Sequence, residues 1–319
     1  MKKNKTAIIF GISGQDGAYL SSLLLSKGYK VIGTSRNINT KNLNRLIRLD
    51  TYKNIKLYEG QATKYNFCNK VINKDINEIY YLAGDSSVIK SFQYPEISLK
   101  SNALGILNIL NVVKKKNKKI RIFNAASGQF FGNNKYNKYN VNSKIDPQSP
   151  YGVAKAAGYW FTKIYRENFG LFCCSGILFN HESSLRSDEF VTKKIINEAR
   201  KIKNKKKKIL ELGDINIYRD WGWAPEYVEA FWLMLRLKKP IDLVIGTGKI
   251  HSLKDFVKEV FKLEKLSQKK IRTNVRKFKR KLDIKGYKAD ISLTKKIIKW
   301  YPKTSFKQIV YKMVNNELF

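Results

Sequence analysis

Histidine and cysteine are nearly absent from this chain, with two and three among 319 residues. So few imidazole and thiol groups argue against a His/Cys metal centre. Cys68, Cys173 and Cys174 do not make a disulfide framework, and the adjacent pair, inside an apolar run, reads as packed strand. A long N-terminal apolar run is also missing. After lysines at 2, 3 and 5, the run Ala7-Ile8-Ile9-Phe10 is far shorter than a signal segment or a membrane span. The expectation is a cytoplasmic protein with no membrane segment. Acidic residues are scarce: 25 face 63 Lys and Arg, for a net charge of +38. Such an excess raises nucleic acid or an anionic membrane as partners. The lysines, however, are spread along the whole chain among abundant Asn and Ile, and no recognition helix or aromatic stacking motif goes with them. The densest block, 201–208, suits the end of a helix, where cations meet the negative end of the dipole. No sequence-specific nucleic-acid partner is expected.

What is present suits a folded α/β protein. At 43% hydrophobic and 13% aromatic the chain buries a full core, as one large domain or two intimate ones, without internal repeats or a low-complexity linker. The run 7–10 reads as a buried strand and leads into Gly11-Ile12-Ser13-Gly14-Gln15-Asp16-Gly17 and an apolar-periodic helix over 18–27. Strand, glycine turn and helix in that order point to a dinucleotide. The glycines serve the tight turn, close approach of backbone to a pyrophosphate and helix-on-strand packing, while the helix N-terminus offers N–H donors. A second strand at 30–33 ends in Thr34-Ser35-Arg36, where an NAD site would carry Asp or Glu. Arg36 instead suits a 2′-phosphate, so NADP is the expected cofactor.

Further strands are expected at 55–59, 78–83, 121–126 and 172–178, with helices near 64–74, 98–115 and 151–169. This alternation predicts a Rossmann-like doubly wound parallel sheet with the carboxyl ends of its strands on one edge. Beyond 179 the pattern turns irregular: a polar loop to 189, a helix near 190–202, a short strand at 209–212, a helix near 224–237 and a strand near 241–245. Helices near 253–263 and 305–317 follow. Residues 1–179, with 224–245 returning, are read as the cofactor domain. Residues 180–223 and 246–319 are read as a smaller C-terminal substrate-binding lobe, in which Arg186, Arg219 and Arg280 suit bidentate phosphate contacts.

The chemistry is placed at Ser149-Pro150-Tyr151-Gly152-Val153-Ala154-Lys155. A Tyr and a Lys four apart project from one helical face, and the ammonium is expected to favour the ionised phenol for proton exchange. Tyr52/Lys56 and Tyr159/Lys163 share the spacing. Only Tyr151/Lys155 opens a helix that follows a strand ending in Ala126-Ser127, at the expected cofactor edge.

Several strings are longer than such patterns. Gly11 to Leu20, Ser149-Pro150-Tyr151 with Lys155, Gly176 to Ser183, Phe190-Val191-Thr192, Arg219-Asp220-Trp221-Gly222 and Pro302 to Phe306 resemble the GDP-mannose 4,6-dehydratase family of extended short-chain dehydrogenase/reductases. The resemblance implies a bound NADP, with Tyr151 as base at the sugar C4 assisted by Ser127 and Lys155. Removal of the C5 proton, loss of water from C6 and return of hydride to C6 then follow. It further implies a GDP-sugar held by Asn180, Lys194, Arg219 and Arg280. Gly11, Ser13, Gly14, Gln15, Asp16, Gly17, Arg36, Ala83, His181 and Arg186 fall on its cofactor side, Arg186 in a loop that reaches cofactor or a neighbouring subunit. A homodimer or homotetramer is implied as well.

The chain departs from that pattern where the family carries the Glu that takes the C5 proton. Here the motif reads Ser127-Gly128-Gln129-Phe130-Phe131-Gly132, and a carboxamide has no useful basicity. Gln61, Asp85-Ser86-Ser87 and Asn37 also replace usual family residues. Two enzymatic readings stay open. In one, Asp85, or Tyr151 acting twice, replaces the missing base. In the other, the protein stops at C4 redox chemistry as a reductase, 4-dehydrogenase or epimerase, with Gln129 only a hydrogen-bonding residue. A catalytically silent nucleotide-sugar binder is the third reading, against which the retained Tyr and Lys argue.

Overall fold

The computed structural model describes residues 5–133, 138–275 and 286–319. Seven strands, β1 (Thr6–Phe10), β2 (Lys30–Ser35), β3 (Ile55–Glu59), β4 (Glu78–Tyr81), β5 (Arg121–Ser127), β6 (Cys173–Leu178) and β7 (Leu243–Ile245), form one sheet. All neighbours are parallel and the order is β3-β2-β1-β4-β5-β6-β7. The chain runs outward from β1 to β3, then crosses back to β4 and continues the other way. The reversal lies between β1 and β4, where an open parallel sheet leaves a crevice at its carboxyl edge.

Strand periodicity sorts side chains between two faces. Ala7 and Ile9 of β1 join a core with Tyr19, Leu20 and Leu24 of α1 (Gln15–Ser26). Leu43 and Leu46 of α2 (Thr40–Arg48) share that core. Ile8 and Phe10 join the opposite core with Ile106, Ile109, Leu110 and Val113 of α3 (Gly105–Lys116). Cys173 and Cys174 follow the same rule: both are buried free thiols in β6, one on each face.

The long helix between β5 and β6, α4 (Pro150–Phe169), starts with Ser149 accepting the Gly152 N–H at 3.0 Å and with Pro150 in its first turn. It ends at left-handed Gly170, φ 68°. Arg166 forks onto Asp242 at 2.8 and 2.7 Å, and Asp242 also accepts the Ser175 N–H. The last turns of α4 are thereby pinned to β6 and to the residues entering β7. A further core packs α5 (Val191–Lys203), α7 (Leu253–Leu263) and α8 (Phe306–Asn315) around Trp221 and Trp223. Between β6 and β7 runs α6 (Ala224–Met234), which lies against α1. The basic block 201–208 spans the last turn of α5 and the residues after it, as expected of a helix end: Lys201 and Lys207 meet Glu198, and Lys203 meets Glu264.

The helix expected over 98–115 is present, starting earlier and carrying a π turn within it. A short helix Pro95–Leu99 passes through a wide π turn, Lys100–Leu104, before α3 begins. Asn102 in that turn gives its amide to the Asp85 and Ser98 carbonyls at 3.1 Å. A Cβ on Gly158 of α4 would lie 2.6 Å from the Asn102 carbonyl oxygen. Glycine at 158 therefore lets the π turn, and with it the loop after β4, close onto α4. Among the described residues, no helix is long and apolar enough to cross a membrane and no His/Cys/Asp/Glu group is arranged for a metal.

Candidate active site

The glycine turn sits at the topological reversal. Gly11 has φ +87°, and a Cβ there would lie 2.7 Å from the Ala83 nitrogen at the end of β4. A Cβ on Gly17 would lie 2.4 Å from the Gly11 carbonyl oxygen. α1 thus packs on the turn with no room for a side chain. No side chain caps α1 at Gly14, so its first N–H groups are not taken by a capping oxygen.

Gln15 and Asp16 look inward to the chain leaving β6. Gln15 accepts from the Ser183 hydroxyl at 2.8 Å and donates to the His181 carbonyl at 3.3 Å. Asp16 Oδ2 lies 2.8 Å from His181 Nε2, while His181 Nδ1 donates to the Phe179 carbonyl at 2.8 Å. Both ring nitrogens face acceptors, which an imidazolium satisfies and a neutral ring does not. Burial pulls His181 down, but the Asp16 carboxylate and its hydrogen bond outweigh it and leave the imidazole above its ordinary value. Asp16 is pushed up by burial and pulled down further by His181, ending below the usual carboxylate value. Asp16 and His181 therefore hold the turn to the β6 exit as an ion pair.

Ser127 at the end of β5, Tyr151 in the first turn of α4 and Lys155 one turn on come together. Ser127 Oγ accepts the Gln129 N–H at 3.2 Å, and Lys155 Nζ donates to the Ala125 carbonyl at 2.7 Å. Lys155 lies 5.8 Å from the centre of the Tyr151 ring. The expected effect of the ammonium on the phenol is not what this arrangement gives. Burial pushes Tyr151 up to about 12 against the opposing Ser127 hydrogen bond. Burial likewise brings Lys155 down to about 8, with Asp16 pulling the other way. The two groups share a face, as the spacing required, but the lysine gives its hydrogen bond to the backbone. Of the sibling pairs, Tyr52 is exposed, and Tyr159 is core with Lys163 over Trp160.

Gln129 donates from Nε2 to the Tyr287 hydroxyl at 2.6 Å, and Tyr287 donates to Asn180 Oδ1 at 2.8 Å. The buried Tyr287 ring lies 5.1 Å from that of Phe179, and the Arg219 guanidinium lies 5.6 Å from its centre. Arg219 is buried and donates to the Tyr218 carbonyl at 2.7 Å. Arg186 pairs with Glu182 at 3.2 Å and stacks on Phe190 at 3.5 Å. Lys194 is half-buried in the first turn of α5. Arg36 is exposed just beyond β2, while Ser13 meets Ser35 through their hydroxyls at 3.0 Å. Asp85 Oδ1 accepts the Ser87 N–H at 3.0 Å. Arg280 lies outside the described residues.

Two residues of this region were not legible in the sequence. Tyr287 stands in no motif. Arg45 donates to the Leu185 carbonyl at 2.7 Å and to the Ser13 carbonyl at 3.1 Å, tying α2 to both the turn and the loop after β6. The only signal for it was an arginine on the polar side of an amphipathic stretch.

The sequence profile of the GDP-mannose 4,6 dehydratase family matches residues 8–313. The chain belongs to this family. It is 37% identical to GDP-mannose 4,6 dehydratase 1 of Arabidopsis thaliana over 332 residues, covering 100% of this chain and 91% of that one. Against the human GDP-mannose 4,6 dehydratase the identity is 33% over 346 residues, 99% and 92% of the two chains. The fold matches a dTDP-glucose 4,6-dehydratase from Streptomyces venezuelae with NAD and TYD bound, at TM-score 0.87 and 17% identity over 98% and 96%. It also matches a UDP-glucose 4-epimerase from Thermotoga maritima with UDP-glucose, at TM-score 0.85 and 19% identity over 98% of each chain. A Pseudomonas aeruginosa protein complexed with NADPH matches at TM-score 0.82 and 16% identity over 98% and 99%. These solved structures share the Rossmann-like fold of this dehydratase-family enzyme.

Proposed function

We propose that this enzyme acts on GDP-mannose with NADP, oxidising C4, removing water across C5 and C6 and returning hydride to C6. The observation that carries the reading is the meeting of Ser127, Tyr151 and Lys155 at the end of β5, beside the uncapped glycine turn, in a chain of this family. A dinucleotide fits that turn: close backbone packing and open N–H donors suit a pyrophosphate. A nicotinamide cofactor, when bound, supplies the hydride acceptor and donor. Arg36, with no carboxylate beside it after β2, supports a 2′-phosphate and so NADP.

Within this reading Gly11, Ser13, Gly14, Gln15, Gly17 and Ala83 line the cofactor, with Arg186 near it. Asp16 and His181 hold the turn as an ion pair, which removes them from direct phosphate contact. Residues 180–223 and 246–319 form the nucleotide-sugar lobe, with Asn180, Lys194 and Arg219 toward the sugar nucleotide. Tyr151 takes the C4 hydroxyl proton. Ser127 orients that hydroxyl and favours the phenolate by hydrogen bonding.

The same reading takes the protein as a homodimer. The two short helices Val88–Gln93 and Pro95–Leu99 lie against α4, and Ile89, Phe92, Ile97, Val153, Trp160 and Ile164 are exposed along them. With +38 on the chain, lysine-rich faces repel a second copy, whereas an apolar face mates with itself across a two-fold axis.

Incubation with GDP-mannose and NADP, with product mass as readout, tests the function. Loss of one water without added reductant is the expected result. Turnover of only a 4-keto sugar, and only with NADPH, would replace the reading with C4 reduction.

A further inference from the structure

We infer that Tyr287 is the acid–base group for C5 and C6 of the sugar, taking the part of the carboxylate that position 129 lacks; this rests on the dehydratase reading above. Gln129 cannot take a carbon-bound proton. Asp85 accepts the Ser87 N–H at the start of a short helix and belongs to the loop after β4, whereas position 129 follows β5. Tyr151 is committed to the C4 hydroxyl. Tyr287 remains, and its place is specific: the hydroxyl sits 2.6 Å from the Gln129 amide nitrogen and 2.8 Å from Asn180, on a ring fixed against Phe179. Gln129 in turn gives its backbone N–H to Ser127 Oγ at 3.2 Å, which ties Tyr287 to the end of β5 where Ser127, Tyr151 and Lys155 meet.

Two contacts favour negative charge on Tyr287, while the third, Asn180 Oδ1 accepting from the hydroxyl at 2.8 Å, favours the neutral phenol that must hand its proton back. The Gln129 N–H donates to the phenolic oxygen, and the Arg219 guanidinium stands by the ring. A carboxylate at 129 offers no donor and would set a like charge beside the phenolate. The carboxamide and the phenol are therefore one device, in which Gln129 serves as a positioning residue for its neighbour.

In the step itself, the Tyr287 phenolate takes the C5 proton of the 4-keto sugar, and the C–H pair enters the C4–C5 enolate. That pair then forms C5=C6 as the C6–O bond breaks. Tyr287 returns its proton to the departing hydroxide, which leaves as water, and is a phenolate again. A bound nicotinamide would supply the hydride that returns to C6, and the enolate then formed takes its C5 proton from solvent, which balances the C4 hydroxyl proton that Tyr151 releases to solvent.

The test follows GDP-mannose with NADP in deuterated water. It reads C5 deuteration, water loss and the absorbance of reduced nicotinamide as separate signals. Tyr287→Phe is expected to lower C5 deuteration and water loss by about 10²-fold or more while C4 oxidation and cofactor affinity persist. Adding Gln129→Glu to that variant is expected to restore both, because a carboxylate then stands at the site. A Tyr287→Phe protein that dehydrates within a few-fold of the parent overturns this inference and leaves the dehydratase reading intact. Loss of C4 oxidation in step with dehydration marks a structural role and also overturns it. A parent protein that oxidises C4 but neither deuterates C5 nor loses water overturns both readings.

Discussion

Tyr151 and Lys155 illustrate what a spacing establishes and what it leaves to the fold. Four residues on one helix put them on a common face, yet burial dominates both: the phenol rises to about 12 and the ammonium falls to about 8. In the proposed reaction Tyr151→Phe removes the proton acceptor, so turnover should fall by about 10²–10⁴-fold with cofactor affinity kept, as read by steady-state rates and cofactor titration. Lys155 has a stability consequence whose sign follows from its lowered value. Between about 8 and 10.5 the folded chain binds fewer protons at this lysine than the unfolded chain, so this contribution to stability rises with pH across that window. Below it, the cost of burying the charge is fully present. Lys155→Met should therefore raise the melting temperature near neutral pH and lose that gain near pH 10, while abolishing turnover. A gain independent of pH would show that packing, and not the buried charge, is responsible.

At the scale of elements, the strands were legible because buried parallel strands are short apolar runs, and the glycine turn because its neighbours are a strand and a helix. The π turn at Lys100–Leu104 was not, since hydrophobic periodicity does not distinguish it from continuous helix. Short helices at Thr40–Arg48 and Val88–Gln93 were passed over for want of apolar length. Tyr287 escaped because its meaning is tertiary: it lies 158 residues from Gln129, joined to it by one hydrogen bond. Gly17→Ala and Gly158→Ala would each drive a Cβ into backbone at 2.4 and 2.6 Å. Each should cost about 1–3 kcal/mol in denaturant unfolding, the former with loss of cofactor binding. Either variant matching the parent in stability would show that these backbone contacts yield more easily than close packing allows.

On the scale of the molecule, one parallel sheet carries the turn, the Ser127/Tyr151/Lys155 set and the Gln129–Tyr287–Asn180 chain to its carboxyl edge, while the apolar face along α4 lies outside. Phe92→Asp with Trp160→Glu should convert a dimer to monomer in sedimentation, with the melting temperature of the fold little changed. An unaltered sedimentation coefficient would place the subunit contact elsewhere. The charge of +38, spread along the chain, accounts for none of the site geometry. The central claim is that a single bound cofactor takes hydride from C4 and gives it back at C6 after water has left. GDP-mannose deuterated at C4 measures this directly. The account predicts a product lighter by one water that still carries the label, now at C6. Label found on released reduced cofactor, with the sugar oxidised at C4 and no water lost, would contradict it.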